Sequence, residues 1–386
     1  MGEIELTVVM PCLDEADTVE ICVEKAVRAI RESGIAGEVL VADNGSKDAS
    51  RELAARAGAR VVPIQARGYG NALMGGIAAA RGRFIIMGDA DDSYDFLEVP
   101  KFVAKLREGY ELVQGCRLPA GGGRVMPGAM PPSHRWLGNP MFSALARLWF
   151  GAPVHDVYCG LRGFTKTHYE RLDQRCTGME FATEMIIKSS LGKARICEVP
   201  ITLHPDGRKT HAPHLRTIRD GWRTLRFFLM YSPRWLFFVP GLLLFLVGLV
   251  AYGLAMPAVT FRGATFDAHT LLFGSVFMLC GYQAMLFSVF TKVFAVRAGL
   301  MPEDERFVRV FRSLTLEKGL VLGLVALVVG AGLLGTAVLK WQSVGYGKLD
   351  YPETMRWVIP GATLTALGFQ TVLSSFFISI LGMGRR

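Results

Sequence analysis

Two regimes of hydrophobic patterning divide the chain. Up to about Ser232, apolar runs of strand length alternate with stretches whose apolar positions recur at helical spacing. From Trp235 onward long apolar runs dominate: Trp235–Met256, Thr270–Val296, Gly319–Leu339 and Trp357–Met383. Each reaches or exceeds the roughly 20 residues that an α-helix needs to cross the hydrocarbon core of a bilayer. Their interiors are nearly free of charge, with Lys292 close to one end. As buried core helices they would leave almost no polar face for water. The pattern therefore predicts an all-α membrane domain of about four helices. Gln283, Ser288, Gln370, Ser374 and Ser375 are expected against neighbouring helices rather than lipid.

The first half reads as alternating strands and helices. A strand over Ile4–Pro11 leads through Cys12-Leu13-Asp14-Glu15 to a helix near Thr18–Arg31, which Asp14 or Asp17 can cap. A strand over Glu38–Ala42 ends at Asp43-Asn44-Gly45-Ser46-Lys47-Asp48, with Asp48 capping a helix over Ala49–Ala57. After a short strand, Arg60–Pro63, the run Arg67-Gly68-Tyr69-Gly70-Asn71 opens a small-residue helix to Ala80. The strand Phe84–Met87 ends at Gly88-Asp89-Ala90-Asp91-Asp92. This alternation predicts an α/β domain with a mostly parallel sheet covered on both faces. The expected division is 1–210 for this domain, 211–234 for a basic amphipathic juxtamembrane segment, and 235–386 for the membrane domain.

Composition and charge add a topology. Of 386 residues, 51% are hydrophobic and the mean hydropathy is +0.31, an excess carried by the C-terminal runs. No basic segment followed by an apolar one opens the chain, so no cleaved signal peptide is expected, and Leu6 breaks a myristoylation pattern. Basic residues crowd the stretch Arg208–Arg234 and the loop after the second run, and the chain ends Arg385-Arg386. An even number of spans puts all of these on the cytosolic face, together with the N-terminal domain. The net charge of +9 thus points to anionic lipid or a lipid phosphate, not to nucleic acid. Seven cysteines without CxxC pairing read as reduced thiols.

The acids Asp14, Glu15, Asp43, Asp89 and Asp91 all fall at C-terminal ends of strands, where open α/β sheets bind ligands. A dinucleotide fingerprint is excluded, because Gly68-Tyr69-Gly70 comes long after the first strand and Leu73 replaces the third glycine. A Walker A loop is absent. Asp89-Ala90-Asp91 is the metal candidate. Two carboxylates one residue apart at a strand end suit Mg²⁺ or Mn²⁺, which prefer oxygen ligands and bridge a diphosphate. Such a cation neutralises charge on a nucleoside-diphosphate leaving group.

Together, Val9-Met10-Pro11-Cys12-Leu13-Asp14-Glu15, Val41-Ala42-Asp43-Asn44-Gly45-Ser46, Gly68-Tyr69-Gly70-Asn71-Ala72 and Met87-Gly88-Asp89-Ala90-Asp91-Asp92-Ser93-Tyr94 resemble glycosyltransferase family 2, of GT-A fold. Within it the chain is similar to the polyprenyl-phosphate glycosyltransferases, which include dolichol-phosphate mannose and glucose synthases. The resemblance implies transfer of a hexose from a nucleotide sugar, UDP-glucose ahead of GDP-mannose, to a polyprenyl phosphate. It implies nucleotide-sugar contacts at Pro11, Asp14, Glu15, Asp43, Gly68, Asn71 and Asp89, with Mg²⁺ or Mn²⁺ on Asp89 and Asp91. Asn44 and Tyr69 depart from the family, which often has Asp and sometimes Lys there.

On the acceptor side, Gly121–Pro132 reads as a loop before Arg135-Trp136 and an amphipathic helix, Leu137–Phe150. His155–Phe164 resembles the family's acceptor motif and makes Asp156 and Arg162, with Asp91, the catalytic candidates; a buried Asp156–Arg162 pair is the structural alternative. One of Glu180 and Glu184 is expected to face the cleft. Arg117, Arg135, Arg208 and Lys209 are the candidates for a lipid phosphate, which is largely dianionic at neutral pH and needs a cation rather than a base. A homo-oligomer is allowed for. The alternatives are a processive polysaccharide synthase, against which stands the lack of Gln before Arg135-Trp136, and a lipid-linked-sugar transporter, against which stands the intact acidic pair.

Overall fold

The computed structural model describes residues 4–208, 217–299, 301 and 315–382. The chain divides into two compact units, Met1–Phe228 and Leu229–Arg386. The division falls inside the stretch expected as the juxtamembrane segment.

The first unit is built on a seven-stranded sheet. Its strands are β1 (Leu6–Cys12), β2 (Gly37–Asp43), β3 (Arg60–Pro63), β4 (Phe84–Met87), β5 (Leu112–Cys116), β7 (Arg162–Thr165) and β8 (Ile196–Pro200), in the order β3-β2-β1-β4-β7-β5-β8. A separate short pair joins β6 (Arg124–Val125) to β9 (Thr202–Leu203). All pairings in the main sheet are parallel except those of β7, which runs antiparallel between β4 and β5. β4 is a continuous apolar run, and β1 is apolar but for Thr7, because helices cover both faces. One cover is α1 (Val19–Glu32), which buries Val19, Cys22, Val23, Ala26, Ala29 and Ile30 at helical spacing. The capping expected of Asp14 is not what forms: Thr18 stands at the N-cap, and Asp14 turns to accept from the Lys47 amide at 2.7 Å. Asp48 does accept from the Ser50 amide, at the start of α2 (Ser50–Arg56).

The remaining helices are α3 (Tyr69–Ala79), α4 (Val99–Arg107), α5 (Asn139–Phe150), α6 (Lys166–Leu172), α7 (Glu180–Leu191) and α8 (Thr217–Met230). Phe228 of α8 is buried against Phe142 and Phe150 of α5, with ring centroids 5.8 and 5.4 Å away.

The second unit contains, among the described residues, four helices long and apolar enough to cross a membrane: Arg234–Ala255, Ala268–Arg297, Leu316–Ser343 and Tyr351–Gly382. The first is one π-helical turn, Arg234–Phe238, followed by α9 (Val239–Ala255); the others are α10, α11 and α12. The last three are longer than the apolar runs because helix continues into the polar flanks. A hairpin of β10 (Thr260–Phe261) and β11 (Ala264–Thr265) joins α9 to α10. Pro360 sits inside α12, where neighbouring helices make its missing amide tolerable.

Candidate functional site

The strand order sets β2, β1 and β4 side by side and parallel, so the acids that follow each of them converge at one edge. Asp43, at the end of β2, is buried; it accepts from the Gly45 and Ser46 amides at 3.1 Å and from Arg51 Nε at 2.7 Å. Burial alone would raise its pKa, but these donors hold it below the ordinary carboxylate value. Pro11 lies on β1 directly beside Ala42 of β2.

Asn44 explains its own departure from the family pattern. Its side-chain nitrogen donates to the Ile64 and Ala66 carbonyls at 3.2 and 2.7 Å, and its oxygen accepts from the Gly68 amide at 2.8 Å. A carboxylate could not donate to two carbonyls. Gly68 has φ 129°, and a Cβ there would stand 2.6 Å from the Thr177 carbonyl oxygen, so only glycine fits. Asn71 turns back onto its own loop and donates to the Arg67 carbonyl at 2.8 Å.

Asp89 and Asp91 follow β4. The Tyr69 hydroxyl, in the first turn of α3, donates to Asp89 Oδ1 at 2.9 Å. The other oxygen, Oδ2, lies 2.7 Å from where a Cβ on Gly160 would stand, so a glycine makes room for this carboxylate. Burial, then the Asp91 charge, push Asp89 up to about 6. Asp91 accepts from the Ser93 amide and hydroxyl at 3.1 and 2.6 Å.

The chain returns to this edge much later. The His204 amide donates to the Ser93 carbonyl and the Gly207 amide to that of Asp91, both at 2.9 Å. This lays Arg208 across the acids. Its guanidinium reaches Glu15 Oε1 and Asp91 Oδ2 at 3.1 Å each, and Asp206 at 2.6 Å. Burial works against its charge, but Asp206, Glu15 and Asp91 hold its pKa above the ordinary arginine value.

The other acid–arginine centre is not the one the sequence proposes. Asp156 is completely buried and pairs with Arg117, which donates from Nε and Nη2 at 2.7 and 2.8 Å and from its amide at 3.0 Å. Arg117, expected on a lipid phosphate, is committed here. Arg162, on β7, is also fully buried; it donates to the Ala182 and Cys159 carbonyls at 2.5 and 2.6 Å. Both of these bonds brace backbone. Glu184 is closed as well, in a buried pair with Lys188 at 2.8 Å. Arg135 lies in the π-helical turn His134–Gly138 before α5, its guanidinium 5.1 Å from the Trp136 ring centroid. Lys209 lies outside the described residues.

Asp89 and Asp91 fit a divalent cation. Mg²⁺ takes one or two carboxylates and completes its shell with water and substrate phosphates. The protein's own cation, Arg208, already stands against Asp91. Among the described residues no cluster of three or more His, Cys, Asp or Glu forms a closed metal cage.

A mostly parallel sheet with acids at its strand ends, followed by four membrane-length helices, defines a membrane-embedded enzyme of GT-A type. Profiles described as glycosyl transferase family 2 and as the glycosyltransferase family 2 C-terminal transmembrane region match residues 7–173 and 289–382. The low-salt glycan biosynthesis hexosyltransferase Agl6 of Haloferax volcanii is 37% identical over 380 residues, covering 98% of this chain and 89% of its own. A dolichyl-phosphate hexose transferase of the same organism is 33% identical over 165 residues, covering 42% of this chain and 68% of its own. The solved glucosyl-3-phosphoglycerate synthase of Mycobacterium tuberculosis in complex with Mn²⁺, UDP and glucosyl-3-phosphoglycerate is 22% identical, covers 59% of this chain and 78% of its own, and has a TM-score of 0.45, a likeness too weak to carry an argument. The chain belongs to glycosyltransferase family 2, as a multi-pass membrane glycosyltransferase with an N-terminal catalytic domain.

Proposed function

We propose that the protein transfers a hexose from a nucleoside-diphosphate sugar, UDP-glucose before GDP-mannose, to a polyprenyl monophosphate at the cytosolic membrane face. The observation that carries the reading is Arg208: the group laid against the acidic pair is a cation suited to a phosphate. Support comes from the relative that is a dolichyl-phosphate hexose transferase. Asp89 and Asp91 would hold Mg²⁺ or Mn²⁺, which supplies charge neutralisation for a diphosphate leaving group.

In the reaction a phosphate oxygen of the acceptor attacks C1 of the hexose. The C1–O bond to the nucleoside diphosphate breaks, and the diphosphate leaves with the electron pair. Attack opposite the leaving group inverts C1. The acceptor is already dianionic, so no residue has to remove a proton. Pro11, Asp14, Glu15, Asp43, Gly68 and Asn71 form the donor side in this reading, and Arg208 with Lys209 orients the acceptor.

The test uses the purified full-length protein with Mg²⁺, a polyprenyl phosphate and a panel of radiolabelled nucleotide sugars, followed by organic extraction. Label in the lipid phase is expected from one donor. No label from any donor overturns the reading.

A further inference from the structure

A nucleoside-diphosphate sugar presents three groups in a row, and the sheet offers its strand ends in a row. Asp43 ends β2, Pro11 lies near the end of β1, and Asp89 and Asp91 follow β4. A nucleoside at the first two and a diphosphate at the third leave the hexose at the next strand, β7.

Arg162, the first residue of β7, sits beside Met87, the last of β4. Its guanidinium ties two segments to this edge. One is the loop of Cys159 and Gly160, whose glycine makes room for Asp89. The other is the first turn of α7, held through the Ala182 carbonyl. The chain leading into α7 is anchored from the donor side as well. The Thr177 carbonyl accepts from the Asn71 amide at 3.3 Å, and the Cys176 carbonyl leaves no room for a Cβ on Gly70. This segment therefore lies against the loop that places Tyr69 on Asp89. Glu184 fixes it by accepting from the Arg175 and Cys176 amides at 3.0 and 2.8 Å.

Glu180 opens α7 between these two anchors. It is half-buried, and a Cβ on Gly178 would stand 2.7 Å from its Oε2, so its carboxylate folds back over a glycine that gives it room. It has no hydrogen-bond or ion-pair partner among the described residues, whereas Glu184, one turn on, is paired with Lys188. Among the described residues no third acid groups with Asp89 and Asp91, so Glu180 does not share their cation. A carboxylate accepts hydrogen bonds and repels phosphate. It suits neither the diphosphate nor a lipid phosphate. The neutral, hydroxyl-bearing group of the substrates at this end is the hexose.

We propose that Glu180 accepts hydrogen bonds from hydroxyls of the donor's hexose and selects the sugar by them. The assignment rests on the donor side of the reaction proposed above and not on its lipid acceptor. A site built to accept from a substrate hydroxyl discriminates against the analogue that lacks it.

The test measures binding to the full-length protein in detergent with Mg²⁺, by titration calorimetry. The probes are UDP, UDP-glucose and its 2-, 3-, 4- and 6-deoxy analogues, with GDP and GDP-mannose alongside. Glu180→Gln should weaken the nucleotide sugar about tenfold and leave the bare nucleoside diphosphate unchanged. At least one deoxy analogue should bind about tenfold more weakly than UDP-glucose to the wild type and equally well to Glu180→Gln. Glu180→Asp, with the charge kept and the reach shortened, should fall between, and Tm should hold in both variants. Equal weakening of sugar-free and sugar-bearing nucleotide, with or without a fall in Tm, would make Glu180 framework and overturn the proposal. So would deoxy discrimination that survives intact in Glu180→Gln. Hexose binding through Glu180 without labelling of any lipid would instead sink the transfer reaction and leave this site standing.

Discussion

Asp91 and Asp156 each hold an arginine in the same unit, and the two pairs are built for different ends. Asp156 has no exposed side-chain surface and takes its partner from β5's end through the Arg117 amide as well as the guanidinium. Its neighbours are also fixed: Glu198 accepts from the His155 and Asp156 amides, and Gln114 donates to the Asp156 and Cys159 carbonyls. Nothing in that arrangement can leave without stranding a buried charge. Asp91 keeps 15% of its side chain exposed and shares Arg208 with Glu15 and Asp206. A divalent cation arriving at Asp91 can displace Arg208, which retains Asp206. The proposed reaction thus makes the closed pair framework and the open pair the one that exchanges partners.

The largest effect that separates them is on turnover. Asp91→Asn and Asp89→Asn should each lower hexose transfer by about 10³-fold, roughly 4 kcal/mol of transition-state stabilisation, while leaving a folded protein. Stability should respond with a definite sign at Asp89. Its carboxyl is raised to about 6 in the fold against an ordinary 3.8, so the folded state binds the proton more tightly. That advantage is present below pH 4 and is lost as pH rises through about 6. In metal-free protein, Asp89→Asn should therefore raise Tm at pH 8 and leave it unchanged near pH 4. A fall in Tm at pH 8 would make Asp89 framework like Asp156.

Asp156→Asn should do the reverse. Removing one member of a buried ion pair costs about 3–5 kcal/mol, so Tm should drop by many degrees, and the loss of activity should follow the loss of folded protein. Full stability with lost turnover would return Asp156 to the catalytic role that the sequence assigns it.

The partner of Asp156, Arg117 where the sequence suggests Arg162, shows where sequence is legible and where it is not. Leu6–Cys12, apolar but for Thr7, and Phe84–Met87 declare themselves because strands buried on both faces are nearly continuous apolar runs, and the acids after them then fall at one sheet edge. The membrane helices follow from length alone. Arg162 is harder: Arg-Gly-Phe-Thr has no strand pattern, and β7 takes its place antiparallel between β4 and β5, strands distant from it in sequence. Its proximity to Asp156 in sequence suggests a pair, whereas the partner in the structure, Arg117, is 39 residues away and brought in by β5. Tyr69 read only as a departure from pattern, because its target, Asp89, is 20 residues on and meets it through the packing of α3.

Arg208→Gln sharpens the comparison from the open side. It keeps hydrogen-bond capacity and removes the charge that competes for Asp91. The apparent affinity for Mn²⁺, followed by electron paramagnetic resonance in the absence of acceptor, should tighten severalfold. KM for the lipid phosphate should rise about tenfold, equivalent to about 1.4 kcal/mol. Weaker metal binding in this variant would mean that Arg208 supports the acids as Arg117 supports Asp156, and that the two pairs are alike.

The smallest effect belongs to Tyr69→Phe. The hydroxyl donates one hydrogen bond to Asp89 Oδ1 while Gly160 leaves space at Oδ2, so the substitution frees the carboxylate to turn without emptying the pocket. A hydrogen bond to a charged group contributes about 1.5–3 kcal/mol at most, and part of this returns when the cation takes over. Turnover should therefore fall about fivefold, with the loss concentrated in KM for the metal and recovered at saturating Mg²⁺. Framework residues behave otherwise: their variants lose folded protein, which added metal does not restore. A turnover defect in Tyr69→Phe that persists at saturating Mg²⁺ with Tm unchanged would show that the hydroxyl acts on the substrate itself, and would enlarge the open centre from the acids and Arg208 to include the first turn of α3.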